Sequence, residues 1–75
     1  MSVKTLSSLA EGEIAVVNSF NSNLILQSRL VEMGILPGIS IRVIKKAPLK
    51  GPVEIKIRNY EVSLRYMDAK QIIVQ

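Results

Sequence analysis

Ten residues, Arg29-Leu-Val-Glu-Met-Gly-Ile-Leu-Pro-Gly38, constrain this chain more than any other stretch. Leu26, Leu30 and Met33 are spaced to fall on one face of an α-helix. Gly34 follows the last apolar position, where a helix end favours a residue that accepts positive φ. Pro37-Gly38 then suits the two central positions of a type II turn, proline presetting φ and glycine taking the positive value. An apolar, strand-like run begins directly afterwards. The chain must therefore stop a helix, reverse and enter a sheet within about ten residues.

The rest of the sequence bounds how large that sheet can be. A chain of 75 residues makes one domain, spanning 1–75. A domain of this size buries only about 60–65% of its unfolded surface, so its core is small. The apolar fraction of 48% is mostly aliphatic and excludes disorder. With no cysteine, no disulfide or thiolate site staples the fold. No apolar run is long enough to suggest a transmembrane helix or a signal peptide. Cytoplasmic residence without membrane insertion is the expectation.

Along the chain, Leu6 and Leu9 are expected to plug one end of the core, and Glu11-Gly12-Glu13 to turn the backbone. Ile14–Val17 reads as a short strand. Residues 18–23, rich in Asn and Ser, read as a loop with Ser22 or Asn23 as helix N-cap. The helix is expected over about 24–33. Ile39–Lys46 alternates with Ile39, Ile41 and Val43 on one face, and Ile44 interrupts it as a bulge would. Ala47–Pro52 is a proline loop. Val53–Arg58 and Glu61–Arg65 alternate cleanly, and the intervening Asn59-Tyr60 marks a two-residue hairpin turn. Asp68–Gln71 suits a tight turn, and Ile72–Val74 a last strand. The fold class is therefore mainly β: a small, partly open β-barrel of about five strands with one inserted α-helix at about 24–33.

Little in the sequence points to catalysis, and no catalytic residue is assigned. Histidine is absent along with cysteine, so Ser–His and Cys–His nucleophile pairs are excluded. Metal ligation is left to carboxylates, amides and methionine sulfur; no metal ligand or cofactor-binding residue is assigned. Glu11/Glu13 and Glu54/Glu61 pair in sequence or across the hairpin, but Glu54, Lys56 and Arg58 share one strand face and read as an exposed, salt-bridged surface. Asn18, Asn21 and Asn23 read as turn and cap residues rather than a hard-cation loop. No glycine-rich phosphate motif is present.

The net charge of +4 remains, and with it a basic outer face built from Arg42, Lys56, Arg58 and Arg65. Nucleic acid is a poor fit, because only Tyr60 and Tyr66 lie nearby to stack bases. Protein contact fits better, with Leu36, Leu49 and Tyr60 in loops as a docking patch. Alternatively, Leu36 and Leu49 fold back to cap the core. Free strand edges also leave weak self-association open.

Arg29–Gly38, followed by Ile41-Arg-Val43, Ala47-Pro-Leu49, Gly51-Pro-Val-Glu-Ile55 and Val62-Ser-Leu-Arg65, resembles the ferrous iron transport protein A (FeoA) family. The opening Leu6-x-x-Leu9-x-x-Gly12 fits the same pattern, and Asn59 stands where the family commonly carries glycine. The resemblance covers nearly the whole chain. It implies an SH3-like barrel with an inserted helix, a fold also found at the C-terminus of iron-dependent repressors. It implies a small cytosolic, non-enzymatic accessory of bacterial ferrous iron uptake. Its partner would be the membrane ferrous iron transporter, protein B, whose cytoplasmic part is a GTPase. It also implies transition-metal (Fe2+) association and, through Arg42, Arg58 or Arg65, a guanidinium supplied in trans to GTP hydrolysis. The alternative reading is a basic small barrel that binds nucleic acid or responds to metal.

Overall fold

A computed structural model describes residues 4–75. The order of elements is a 3₁₀ turn Leu6–Ser8, β1 Ile14–Phe20, α1 Leu24–Glu32, β2 Ser40–Lys46, β3 Val53–Ile57, β4 Tyr60–Leu64, α2 Tyr66–Ala69 and β5 Ile72–Val74. The strands form one antiparallel sheet in the order β4-β3-β2-β1-β5. β4 and β5 lie at opposite ends and do not pair, so the sheet curls into a barrel that stays partly open.

Period-two alternation decides which side chains fill the barrel. Ala15 and Val17 of β1, Ile41 and Val43 of β2, and Val53, Ile55 and Ile57 of β3 all point inward and are buried. Leu30 from α1, Leu64, Ala69, Ile72 and Val74 complete the core, together with Leu6 and Leu9, which are fully buried in it.

The helix end follows the local chemistry of its sequence closely. Asn23 is the N-cap, its Oδ1 accepting from the Leu26 N–H at 2.9 Å. At the other end, Met33 is the C-cap and Gly34 has φ +90°. The Gly34 N–H donates to the Val31 carbonyl and the Ile35 N–H to the Leu30 carbonyl, each at 2.9 Å. These two bonds make a Schellman motif, and Ile35 and Leu30, both buried, supply its apolar contact. Gly38 has φ +92° and the Ile39 N–H donates to the Leu36 carbonyl, so Leu36–Ile39 is the expected type II turn.

Four expectations need correction. First, β1 runs on to Phe20 rather than ending at Val17. A register shift between Val17 and Ser19 lets two polar residues pass through the strand, and Phe20 returns to pack against the core. Second, the β3–β4 turn is Arg58-Asn59, not Asn59-Tyr60: Ile57 pairs with Tyr60, and Arg58 rather than Asn59 takes positive φ, +55°. Both registers keep Ile55, Ile57, Val62 and Leu64 on the same face, so alternation does not distinguish them. Third, the turn after β4 begins earlier than Asp68, as the short helix α2. Fourth, the outer face of β3 is exposed but not salt-bridged: the ion pair among the described residues is Lys4–Glu13, 2.9 Å. The bulge at Ile44 is present, between Val43 and Lys45.

The first described residues lie against β5. Thr5 bridges to Ile73, and the Val74 N–H donates to the Lys4 carbonyl at 2.9 Å. The outer edge of β5 is thereby covered, whereas β4 pairs with β3 alone.

Candidate functional site

The interior carries no chemistry. The buried side chains are aliphatic apart from Ser7, and among the described residues no buried side-chain polar atom lacks a hydrogen-bond partner. The N-terminal carboxylates serve the fold. Glu11 accepts from the Lys46 N–H and Glu13 from the Ala10 N–H, each at 2.9 Å. The Lys46 ammonium donates to the Ser7 carbonyl. The Ala10 N–H and then the Lys4 ammonium hold the Glu13 carboxyl below its ordinary value near 4.5.

What remains is the outer face of the sheet. Ile14, Arg42, Lys56 and Glu61 lie side by side across β1, β2, β3 and β4. With Ser40 and Ile41 of β2 and Arg58 of the β3–β4 turn, Ile14, Arg42 and Lys56 line an open groove of about 310 Å³. Ile14 points outward because Ala15 and Val17 take the inward positions, and it is 54% exposed. The groove thus has an apolar wall beside three cations. None of Arg42, Lys56 or Arg58 has a carboxylate within 4 Å among the described residues. Lys56 does not pair with Glu61, its cross-strand neighbour. Cations left without internal partners make a surface suited to an anionic one.

The residues expected to contact a partner are not all gathered here. Arg42 and Arg58 meet in the groove; Arg65 lies beyond β4, as the N-cap of α2. Leu36 is 38% exposed in the turn after α1 and does not fold back to cap the core. Leu49 is 98% exposed at the tip of the β2–β3 loop. Tyr60 serves the fold, because its hydroxyl donates to the Met33 carbonyl at the end of α1. It does so directly over Gly34, where any Cβ would collide with the hydroxyl oxygen. The groove lining holds no aromatic ring for base stacking. Besides Ser40, Ile14 is the groove residue that sequence reasoning missed. The signal for it was the inward parity of Ala15 and Val17.

Transition-metal binding finds no fit. Among the described residues no three His, Cys, Asp or Glu side chains come together to hold an ion, and Glu11 and Glu13 are engaged in backbone contacts. No helix of the described residues is long and apolar enough to cross a membrane.

A family model described as the FeoA domain matches residues 4–75. The chain belongs to the FeoA domain family. It is 40% identical over 70 residues to a Porphyromonas gingivalis protein described as an Fe(2+) transport protein A/Fe(2+) transporter FeoB fusion. That match covers 93% of this chain but only 8% of the fusion protein. Two solved FeoA structures share the fold. A crystal structure described as an iron uptake regulatory protein (FeoA) superposes with a TM-score of 0.90 at 26% identity, covering 99% of this chain and 97% of the other. Stenotrophomonas maltophilia FeoA, described as an SH3 domain protein complexed with zinc, gives 0.83 at 30% identity, with 96% and 89% covered. The partly open five-stranded barrel seen here is this SH3-like FeoA fold.

Proposed function

We propose that this FeoA domain is a non-enzymatic accessory of ferrous iron uptake that docks on the cytoplasmic GTPase part of the membrane transporter, protein B. The observation that carries the reading is the fusion relative: a domain 40% identical to this one is covalently joined to a transporter described as FeoB. Two functions encoded in one polypeptide operate close together, and a FeoA domain that works beside its transporter needs a surface to meet it. The groove of Ile14, Arg42, Lys56 and Arg58 offers one, with an apolar wall and cations that have no ion-pair partner among the described residues. Its complement is an acidic surface on the transporter. Such attraction acts chiefly on the rate of association and weakens with salt. Ferrous iron enters this scheme as the transporter's cargo and needs no ligand from the domain.

The test is association of the full chain with the full-length transporter in nanodiscs, with and without guanine nucleotide. Wild type is expected to bind, and the Arg42→Glu/Lys56→Glu variant to bind at least about tenfold more weakly while folding normally. No association at high micromolar concentration in either nucleotide state would refute the docking. On this reading the guanidinium offered to GTP hydrolysis is that of Arg42 or Arg58, which share the groove, rather than Arg65, which lies beyond it. Hydrolysis by the transporter, measured with wild type and with Arg42→Lys and Arg58→Lys, examines that part separately.

A further inference from the structure

The β2–β3 connection is built against its own sequence. Its base is closed by the Ala47 N–H donating to the Pro52 carbonyl at 3.0 Å. At its tip the Gly51 N–H donates to the Pro48 carbonyl at 3.1 Å, which makes Leu49 and Lys50 the central residues of a β-turn. Both have positive φ, +57° and +59°. Positive φ at both central positions is the pattern of a type I′ turn, whose preferred sequence is Asn-Gly. Leucine and lysine are poor choices there, because an L side chain in this region crowds its own backbone. An exposed leucine alone would say little. This one is 98% exposed, so its side chain stabilises nothing within the fold while its backbone is strained. Strain that contributes nothing to folding points to use of the side chain elsewhere.

We infer that Leu49 is a docking anchor that enters an apolar pocket rimmed by carboxylates on the transporter's cytoplasmic part. The charge of the loop selects the rim. Residues 45–50 contain three lysines and no acidic residue. Lys46 is held by the Ser7 carbonyl, and Lys50 lies 5.9 Å from the centre of the Tyr66 ring. Lys45 is exposed opposite Glu54 and forms no ion pair with it. A lipid surface is the weaker match: even a myristoyl chain anchors only marginally, and one leucine buries far less. A single leucine in a protein pocket, ringed by polar contacts, is how an interface concentrates its affinity. The anchor and the basic groove are at opposite ends of β3, so they engage separate parts of the partner.

This inference rests on the docking reading above, and one set of measurements separates the two. Wild type, Lys50→Gly and Leu49→Asn/Lys50→Gly are titrated against the transporter in nanodiscs and against empty nanodiscs of the same lipid, and each is melted alone. Leu49→Asn/Lys50→Gly is expected to raise Tm by about 4–8 °C and to weaken binding at least about tenfold. Lys50→Gly is expected to raise Tm while keeping most of the affinity. If wild type does not bind the transporter, both readings fall. If wild type binds and the double variant binds equally, the anchor alone is overturned. It is also overturned if Lys50→Gly loses as much affinity as the double variant, if empty nanodiscs bind equally well, or if Tm falls.

Discussion

Gly34→Ala perturbs the fold at the point where its helix and its hairpin meet. The substitution adds one methyl group with two separable consequences. Gly34 has φ +90°, and an alanine held in the left-handed region costs about 1–2 kcal/mol. The new Cβ also occupies the place of the Tyr60 hydroxyl, which must leave the Met33 carbonyl. Loss of that hydrogen bond adds about 0.5–1.5 kcal/mol. The sum, about 1.5–3.5 kcal/mol, is a large share of the stability of a small domain and lowers Tm by roughly 6–28 °C. Tyr60→Phe removes the hydroxyl without touching the backbone and should cost about 1 kcal/mol. In the double variant the hydroxyl is already gone, so the methyl meets less resistance and only the backbone strain is added. The two changes should therefore fall short of additivity by about 1 kcal/mol. Urea titrations of the four proteins, followed by circular dichroism, measure this cycle. Additive changes would refute the contact between Tyr60 and Gly34, and an unchanged Gly34→Ala midpoint would refute the left-handed backbone as well.

Two further outcomes follow from contacts at the barrel ends. The folded protein holds the Glu13 carboxyl below its ordinary value near 4.5, so the contribution is present above that pH and is lost as pH falls through the lower folded value. The urea midpoint of wild type should drop more than that of Glu13→Gln between pH 6 and about pH 3, and parallel curves would contradict this. Asn23→Ala removes the side-chain cap of α1 and should cost about 1 kcal/mol, with Asn23→Asp largely retaining it; equal losses in both would show that the cap is not the cause.

The parts of this fold that sequence reveals are those fixed by local chemistry. Leu30, Gly34 and Ile35 specify a helix end, and Pro37-Gly38 specifies a turn, because each preference is satisfied within a few bonds of the residue that carries it. The alternation in β2 and β3 likewise sorts inside from outside. What escapes is whatever depends on how strands are aligned. The hairpin turn was misplaced by one position because registers two residues apart bury the same side chains. The second half of β1 was missed because Asn18 and Ser19 break the alternation, and only pairing with Ile73 and Ile72 shows the strand continuing. Ile14, Arg42 and Lys56 become a groove only when three strands are laid side by side. The strained tip was hidden for a different reason: Pro-Leu-Lys-Gly contains none of the residues that announce a type I′ turn at its two central positions.

The covering of β5 by Lys4 and Thr5 sets a limit on assembly. A sheet with two bare edges can recruit copies at both and grow as an open filament. Here, among the described residues, Lys4 and Thr5 lie along the outer edge of β5, and β4 is the edge strand left with unpaired backbone. Edge-to-edge association therefore places β4 against β4 about a two-fold axis and then stops, because the product presents a covered edge on either side. As far as the described residues go, self-pairing through this sheet closes at two copies.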